Sequence, residues 1–286
     1  MKSLIKRAVD QAVQVDWLWN LLDRTVIPVA SYARDARQAK REAQEKREQD
    51  LALAPVHSIF SDLTVRHGVF AGMRYPAMKA AGGALYPKLL GSYEKEIAPL
   101  LERLAAHPYT EIVDVGCAEG YYAVGLATRV KTATVFAFDV NAEAIRLCEA
   151  MARLNGVSER VVTGSFCDAE TLKNIPFTKR ALIISDCEGY EKKLFTEDNA
   201  PALARHELLI EVHDFIDLEI SSYLRSLFEP THTIEVYSSI DDIKKAQQYA
   251  YAELDGLALA ARRKILAERR PAIMEWFYLR PRNGGG

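Results

Sequence analysis

Residues 111–122, which read Glu-Ile-Val-Asp-Val-Gly-Cys-Ala-Glu-Gly-Tyr-Tyr, constrain the fold more than any other part of the chain. The apolar run 111–115 predicts a buried strand, and residues 116–120 predict a tight glycine turn that opens a helix. In a βαβ unit, such a turn presents backbone N–H groups to a ligand at the helix N-terminus. The segment therefore predicts an α/β fold with a ligand site at the carboxyl ends of its strands.

The spacing Asp114-x-Gly116-x-x-x-Gly120 discriminates between ligand classes. A dinucleotide fold needs glycine where this chain has Ala118, so that the backbone can approach a pyrophosphate. Glu119 comes next, and its carboxylate would repel a pyrophosphate but would suit a cationic ligand. S-adenosylmethionine (SAM) carries both a sulfonium and an ammonium group, so the turn favours SAM over a dinucleotide.

A second apolar run, 132–139, ends in Asp139 and is followed by Val140 and Asn141. An acid at the tip of the second strand can accept hydrogen bonds from both hydroxyls of a ribose. The alternative is that Asp139 caps the next helix, as acids often do.

The third predicted strand, 160–164, leads to Phe166, Cys167 and Asp168. An apolar wall followed by an acid suits an adenine ring and its amino group, although Asp168 is also a candidate helix cap. Three such elements in order predict a nucleoside site. The predicted cofactor contacts are Asp114, Gly116, Cys117, Ala118, Glu119, Gly120, Tyr121, Asp139, Val140, Asn141, Phe166, Cys167, Asp168 and Asp186.

Titratable side chains also stand at the ends of the fourth and fifth predicted strands. Asp186 and Glu188 follow the apolar run 181–184 of the predicted strand 180–186. His213 ends the predicted strand 206–213, and Asp214 comes next. His213 is the best candidate general base, because its ordinary pKa lets it take a proton near neutral pH. Asp186 is expected beside the methyl donor. Asp214 either orients His213 or caps the next helix, and Glu188 is also a candidate cap.

Methyl transfer to a hydroxyl requires that the hydroxyl proton leave, either to a base or with the help of a metal. Oxygen and imidazole ligands from Asp186, Glu188, His213 or Asp214 would suit Mg²⁺ or Mn²⁺. The sequence leaves this choice open. No acidic pair at fixed helical spacing stands out, which favours the base.

The composition of the chain argues against several classes of function. The chain has 286 residues with a formal net charge of −2, which argues against a chain-wide nucleic-acid-binding surface. Four scattered cysteines form no CxxC pair, and no apolar run reaches 18 residues. These features predict a cytoplasmic protein with free thiols and no transmembrane segment.

The pattern along the chain predicts three parts. Residues 1–75 form a helical extension, 76–283 form the α/β domain with a long helix at 241–268, and 284–286 form a flexible tail. The extension carries a charged helix at 34–50, which we expect to be solvated. The sequence leaves open whether the extension is an oligomerisation arm, contacts a partner or a membrane, or covers the acceptor site.

Asp114-Val-Gly-Cys-Ala-Glu-Gly120 resembles motif I of class I SAM-dependent methyltransferases. Residues 184–191 (Ile-Ser-Asp-Cys-Glu-Gly-Tyr-Glu) and 208–214 (Leu-Leu-Ile-Glu-Val-His-Asp) are similar to FkbM-type methyltransferases. The resemblance covers roughly residues 90–280. It implies a Rossmann-like, doubly wound sheet of seven strands with the last strand antiparallel. It also implies O-methylation of a saccharide or natural-product hydroxyl.

By motif position, the resemblance implies that Gly116, Glu119, Gly120 and Asp139 hold SAM and that Asp168 lies near the adenine. Asp186 and His213 would then face the acceptor. Other hypotheses are a non-catalytic binding protein that uses its N-terminal helices as a partner arm, an NAD-dependent oxidoreductase, and an enzyme that methylates nucleic acid or protein. The missing central glycine argues against NAD, and the absence of a basic stripe argues against nucleic acid.

Overall fold

The computed structural model describes residues 37, 38, 40, 59–81 and 84–282. Contacts between backbone positions divide the chain into two compact units, 1–58 and 59–286. The predicted helices of the first unit lie almost entirely outside the described residues, as does the predicted tail. Residues 59–75, which the sequence pattern grouped with the extension, contribute buried side chains such as Phe60, Phe70 and Tyr75 to the second unit.

Seven strands form one sheet in the order β3-β2-β1-β4-β5-β7-β6. The strands are β1 (Glu111–Val115), β2 (Thr134–Phe138), β3 (Val161–Gly164), β4 (Leu182–Ser185), β5 (Glu207–Val212), β6 (His232–Ser238) and β7 (Glu275–Pro281). Strands β1 to β5 pair in parallel, and β7 lies antiparallel between β5 and β6. The predicted seven-stranded sheet with an antiparallel last strand is confirmed.

The order of the chain places helices between successive strands. The helices of the described range 84–282 are α1 (Leu85–Leu90), α2 (Ala98–Ala105), α3 (Tyr121–Arg129), α4 (Ala142–Leu154), α5 (Ala169–Lys173), α6 (Glu191–Leu194), α7 (Ala200–Leu203), α8 (Ile220–Phe228), α9 (Asp242–Gln248) and α10 (Leu259–Leu266). Strands β1, β4 and β5 are buried along their whole length, as expected for central strands covered on both faces. Alternate residues of these strands, such as Val113, Ile183 and Ile210, share a core with Leu224 and Phe228 of α8.

The prediction of one long helix at 241–268 is wrong. The segment contains α9, a 3₁₀ turn at Ala252–Leu254 and α10. The helix already ends at Gln248, because Tyr249 and Tyr251 are extended, and Gly256 before α10 has a left-handed φ of 74°. The helix-favouring composition of the segment hid this break.

Within the described residues, no helix is both long enough and apolar enough to span a lipid bilayer.

Candidate active site

A cavity of about 580 Å³ opens at the carboxyl ends of β1, β2, β4 and β5. Ligands bind at this edge in open α/β sheets. The predicted site residues that line it are Gly116, Ala118, Asp139, Val140, Asn141, Phe166, Cys167, Asp186, Glu188 and His213. Those that do not line it are Asp114, Cys117, Glu119, Gly120, Tyr121, Asp168 and Asp214.

The glycine turn after β1 is tied to the two neighbouring strands. Gly116 has a φ of 85°, and a Cβ built there would lie 1.7 Å from the backbone oxygen of Asp186. The N–H groups of Gly116 and Cys117 donate to the carbonyl of Phe138 at 2.8 and 3.0 Å. Only glycine fits at this position, because a side chain would clash with the backbone of Asp186. The turn therefore packs directly against the ends of β2 and β4, and it forms one wall of the cavity.

Asp139 is fixed at the cavity by two backbone hydrogen bonds. Its Oδ2 accepts from the N–H of Ala118 at 2.9 Å, and its Oδ1 accepts from the N–H of Asn141 at 2.7 Å. Helix α4 is capped by Asn141 instead, whose side chain accepts from the N–H of Glu143. Each carboxylate oxygen of Asp139 keeps a further lone pair, so this acid can accept hydrogen bonds from a ligand's hydroxyls.

Glu119 does not face the cavity. Its buried carboxylate accepts hydrogen bonds from the Tyr75 hydroxyl (3.2 Å), the Ala81 N–H (3.0 Å) and the Lys88 ammonium (2.7 Å). Lys88 lines the cavity, so Glu119 acts on the site through Lys88 rather than directly. The sequence carried no signal for this pairing, because Tyr75, Ala81 and Lys88 lie about 30 to 45 residues before Glu119 in the chain.

Beyond β3, Phe166 lines the cavity with half of its surface exposed, and its ring contacts Tyr190 edge-to-face at 5.6 Å between centroids. Asp168 caps α5, where its Oδ1 accepts from the N–H of Thr171 at 2.8 Å. The cap hydrogen bonds hold the pKa of Asp168 below its usual value. Asp168 therefore has the helix-capping role, which was the alternative predicted from its position before a helix.

Asp114 is buried beneath the turn and does not reach the cavity. Burial, together with repulsion from Asp186 and Asp139, raises the pKa of Asp114 to about 8. Its Oδ2 has no hydrogen-bond partner among the described residues. A neutral, protonated Asp114 is the form that this environment favours.

His213 lies at the end of β5 among carboxylates and is almost fully buried. Its Nδ1 lies 2.5 Å from Glu191 Oε1, while its Nε2 lies 3.4 Å from Asp186 Oδ1 and 3.6 Å from Glu188 Oε2. Two consecutive residues with positive φ, Glu188 (51°) and Gly189 (90°), turn the chain between β4 and α6. Glu191 heads α6 directly after this turn.

Burial and nearby charges set the protonation of His213 and of the carboxylates around it. Burial alone lowers the pKa of His213, but hydrogen bonding and attraction from Asp186 and Glu191 outweigh it and raise that pKa to about 10. Burial alone raises the pKa of Asp186, but contact with His213 and with Glu211 outweighs it and leaves that pKa lowered. Burial and repulsion by Asp186 and Glu94 raise the pKa of Glu211 well above its usual value. The cluster therefore places a histidinium beside an ionised Asp186, and the neighbouring Glu211 has a raised pKa.

Asp214 forms its hydrogen bond with α8 and not with the imidazole, because its Oδ1 accepts from the N–H of Ser221 in the first turn of that helix. The orienting role on Nδ1 belongs to Glu191, for which no role was predicted from the sequence. The signal was present, because Glu191 ends the Asp-x-Glu-Gly-x-Glu motif at 186–191.

Arg270 is a second residue of the site for which no role was predicted from the sequence. Its guanidinium lines the cavity and forms ion pairs with Glu94, Glu211 and Glu268, the last at 2.9 Å. Burial raises the pKa of Glu94 to about 7, although attraction from Arg270 opposes this. Arg270 thereby connects Glu94 between α1 and α2, the end of β5 and the loop before β7.

Asp186, Glu211 and His213 each offer a ligand atom, and these atoms lie within 4.8 Å of one another. Glu188 lies beside this set, but Asp214 is engaged at α8 and cannot join it. One oxygen of Glu211 is already bound by Arg270. A divalent cation would also have to displace the proton of His213.

Backbone strain concentrates around the cavity. Six non-glycine residues of the described chain have positive φ, and four of them line the cavity: Ala84, Ala118, Glu188 and Arg269. Such conformations cost about 1–3 kcal/mol each and cluster at functional sites.

Residues 106–203, about a third of the chain, match a family described as a methyltransferase domain. A comparison with curated protein sequences finds no match. Precorrin 8W decarboxylase from Methanobacterium thermoautotrophicum is similar in structure with 19% identity, a TM-score of 0.42, and coverage of 64% of this chain and 89% of that chain. A SAM-dependent methyltransferase from Geobacter sulfurreducens, solved with S-adenosyl-L-homocysteine, gives 16% identity, a TM-score of 0.40, and coverage of 66% and 91%.

Proposed function

Because the chain contains a methyltransferase domain with the class I SAM-dependent fold, we propose that it transfers a methyl group from SAM to a hydroxyl of a saccharide or natural-product small molecule. One observation carries the proposal: a single cavity joins the fixed carboxylate of Asp139 to the His213–Asp186 pair. The motif at 186–191 supports a place among the FkbM-type enzymes.

The residues that line the cavity suit a cationic nucleoside. Asp139 can accept hydrogen bonds from ribose hydroxyls, and Phe166 with Val140 offers an apolar surface to the base. Lys88, fixed by Glu119, presents an ammonium that can pair with a carboxylate. When bound, SAM supplies a methyl group that its sulfonium charge has already activated.

His213 is the base in this proposal, with Nε2 as the atom that receives the hydroxyl proton. With a pKa of about 10, the imidazole is protonated at neutral pH in the ligand-free protein. A positive charge that enters the cavity favours release of this proton, since like charges lower the pKa of an imidazolium. Nε2 is then free to accept the proton of the acceptor hydroxyl, while Glu191 holds Nδ1.

Asp186 contributes an ionised carboxylate beside Nε2 and stabilises the imidazolium that forms. A divalent Mg²⁺ or Mn²⁺ ion at Asp186, Glu211 and His213 is the alternative source of hydroxyl activation. We favour the base, because Glu211 already binds Arg270. Full activity after exhaustive dialysis against a chelator is the outcome that agrees with this choice.

The proposal is tested by calorimetric titration of the whole chain with SAM and S-adenosyl-L-homocysteine. Methyl transfer from radiolabelled SAM to a panel of hydroxylated glycans and metabolites is then measured. His213→Ala should lower turnover by about 10²–10⁴-fold, the usual contribution of a general base. His107→Ala, an exposed histidine outside the cavity, is the matched control. Absence of binding by either ligand would refute the proposal, and binding without transfer to any acceptor would favour a non-catalytic role.

A further inference from the structure

The loop after β5 places apolar side chains beside the proposed base. Phe215 lines the cavity with 45% of its surface exposed, and its ring centroid lies 5.9 Å from that of His213. Ile216 and Leu218 are also exposed, Leu218 to 85%. Contiguous exposed apolar side chains at the mouth of a cavity are typical of binding surfaces.

This loop is held in place at both ends. The N–H of Ile216 donates to the carbonyl of His213 at 2.9 Å, and Lys192 binds both Asp217 and Glu219 at 3.0 Å. The side chain of Ile216 packs against Gly189, where a Cβ would lie 3.0 Å from it. The apolar surface is therefore a built feature of the cavity mouth, set by the same β4 turn that carries Glu188.

A second apolar wall contributes to the same cavity, because Phe166 and Tyr190 both line it in edge-to-face contact. We call Phe166, Tyr190, Phe215, Ile216 and Leu218 the apolar rim. Among these five side chains, only Tyr190 carries a polar atom. The guanidinium of Arg270, which also lines the cavity, is already bound to three carboxylates.

We infer that the apolar rim binds a hydrophobic part of the methyl acceptor, so that the acceptor is a hydroxylated aromatic or alicyclic compound rather than an unsubstituted saccharide. The inference rests on the proposed function. An apolar ring gains free energy when it leaves water on this surface. Hydroxyls of a bare sugar that faced Phe166, Phe215 or Leu218 would lose water without finding partners on those side chains, which is costly.

The test uses the full chain saturated with S-adenosyl-L-homocysteine, titrated by calorimetry with 2-naphthol and with methyl β-D-glucopyranoside. We expect 2-naphthol to bind at least tenfold more tightly than the glucoside. Phe215→Ser should weaken 2-naphthol binding roughly tenfold, the loss expected when most of one aromatic contact is removed. Val236→Ser, at an exposed apolar position of β6 outside the cavity, should leave binding unchanged.

Each result separates this inference from the proposed function. Failure of S-adenosyl-L-homocysteine to bind overturns both. Normal binding of S-adenosyl-L-homocysteine overturns this inference alone if 2-naphthol does not bind, if the glucoside binds as tightly, or if Phe215→Ser and Val236→Ser behave alike. Cosedimentation with phosphatidylcholine vesicles that Leu218→Ser abolishes would overturn it in favour of a membrane contact. Self-association lost in the same variant would overturn it in favour of a second copy of the chain.

Discussion

His213 illustrates how neighbours, rather than residue type, set the chemistry of a side chain. An isolated histidine is mostly neutral at pH 7.5, whereas the carboxylates of Asp186 and Glu191 hold this one as an imidazolium. The imidazole therefore has a proton to give up before it can act as a base. Entry of a cation into the cavity supplies the electrostatic change that such a release needs.

Glu191→Gln should lower the pKa of His213 by at least about one unit, because one of the two carboxylates that raise it loses its charge. Glutamine keeps an oxygen that can accept the Nδ1 proton, so the ring orientation is retained. NMR titration of the imidazole in the ligand-free protein measures the shift. Glu197→Gln, at an exposed glutamate, serves as the control. An unmoved pKa would mean that Glu191 only packs against the ring.

Asp114→Asn should change how stability depends on pH. The pKa of Asp114 is about 8 in the folded protein and about 4 in an unfolded chain. Between these values the folded state keeps a proton that the unfolded state loses, so stability falls as pH rises through this window. Asparagine removes this decline.

Urea denaturation at pH 5 and pH 8 measures the effect. Relative to wild type, the Asp114→Asn variant should gain stability on going to the higher pH, by at most a few kcal/mol. Parallel pH profiles for the two proteins would contradict a protonated Asp114. The same experiment on Glu94→Gln tests the second raised carboxyl, whose pKa is about 7.

At this scale the sequence located the positions but not all of the roles. Asp139 and His213 could be identified because they stand at strand ends, where the fold dictates what they face. The pairing of Glu119 with Lys88 could not be predicted, because it depends on how α1 packs against the turn after β1. For Asp214 the sequence left two roles open, and the structure shows the bond to Ser221 of α8. Arg270 lies outside every motif, and only the folded chain brings it to the site.

At the scale of elements, two acids that look alike in sequence differ in how the next helix is capped. Asp139 and Asp168 both stand between a strand and a helix. Asn141 caps α4 and leaves Asp139 at the cavity, while Asp168 must cap α5 itself.

Asp139→Ala should therefore lower the affinity for S-adenosyl-L-homocysteine at least about 100-fold, since two hydrogen bonds to a charged group are lost. Asp168→Ala should leave that affinity unchanged and cost about 1 kcal/mol of stability, the usual effect of a lost N-cap. Calorimetry and thermal melting of both variants measure these effects. Equal losses of ligand binding in the two variants would contradict the assignment.

The crossing of the glycine turn with the end of β4 is a second element-scale constraint. Gly116→Ala forces a methyl group to within 1.7 Å of the Asp186 carbonyl, so β4 and the turn must separate. We expect a loss of more than about 3 kcal/mol and loss of S-adenosyl-L-homocysteine binding. Gly156→Ala has a similar φ of 68° but meets no atom within 4 Å, and should cost only about 1–2 kcal/mol. Chemical denaturation of the two variants measures both losses of stability. Similar losses would show that the positive φ, and not the contact with Asp186, destabilises the protein.

A mostly parallel sheet could be predicted from the alternation of apolar runs and helical segments, because parallel strands need crossover helices. The antiparallel last strand was implied only by the resemblance to a known family. The break between α9 and α10 could not be predicted, since a single glycine among good helix formers is weak evidence against a helix. There the extended conformations of Tyr249 and Tyr251, together with the left-handed Gly256, replace the helix that the composition favours.

At the scale of the whole second unit, a buried set of ion pairs joins segments far apart in the chain. Arg270 binds Glu94, Glu211 and Glu268, and Lys245 of α9 also pairs with Glu268. The set connects the start of the unit, the end of β5 and the loop before β7. Glu211, Glu268 and Arg270 all line the cavity, so these ion pairs fix part of its wall.

Arg270→Leu should cost about 3–5 kcal/mol at pH 8, because it leaves carboxylates buried without their cation. The loss should shrink at pH 5. Burial already raises the pKa values of Glu94 and Glu211, and without Arg270 they rise further. These two carboxyls therefore become neutral by protonation as the pH falls, and neutral carboxyls need no cation. Urea denaturation of wild type and variant at both pH values measures the difference. Arg263→Leu, at an exposed position of α10, should cost little at either pH. If Arg270→Leu loses the same amount of stability at both pH values, then Arg270 stabilises the fold by packing alone, and not by neutralising the buried carboxylates around it.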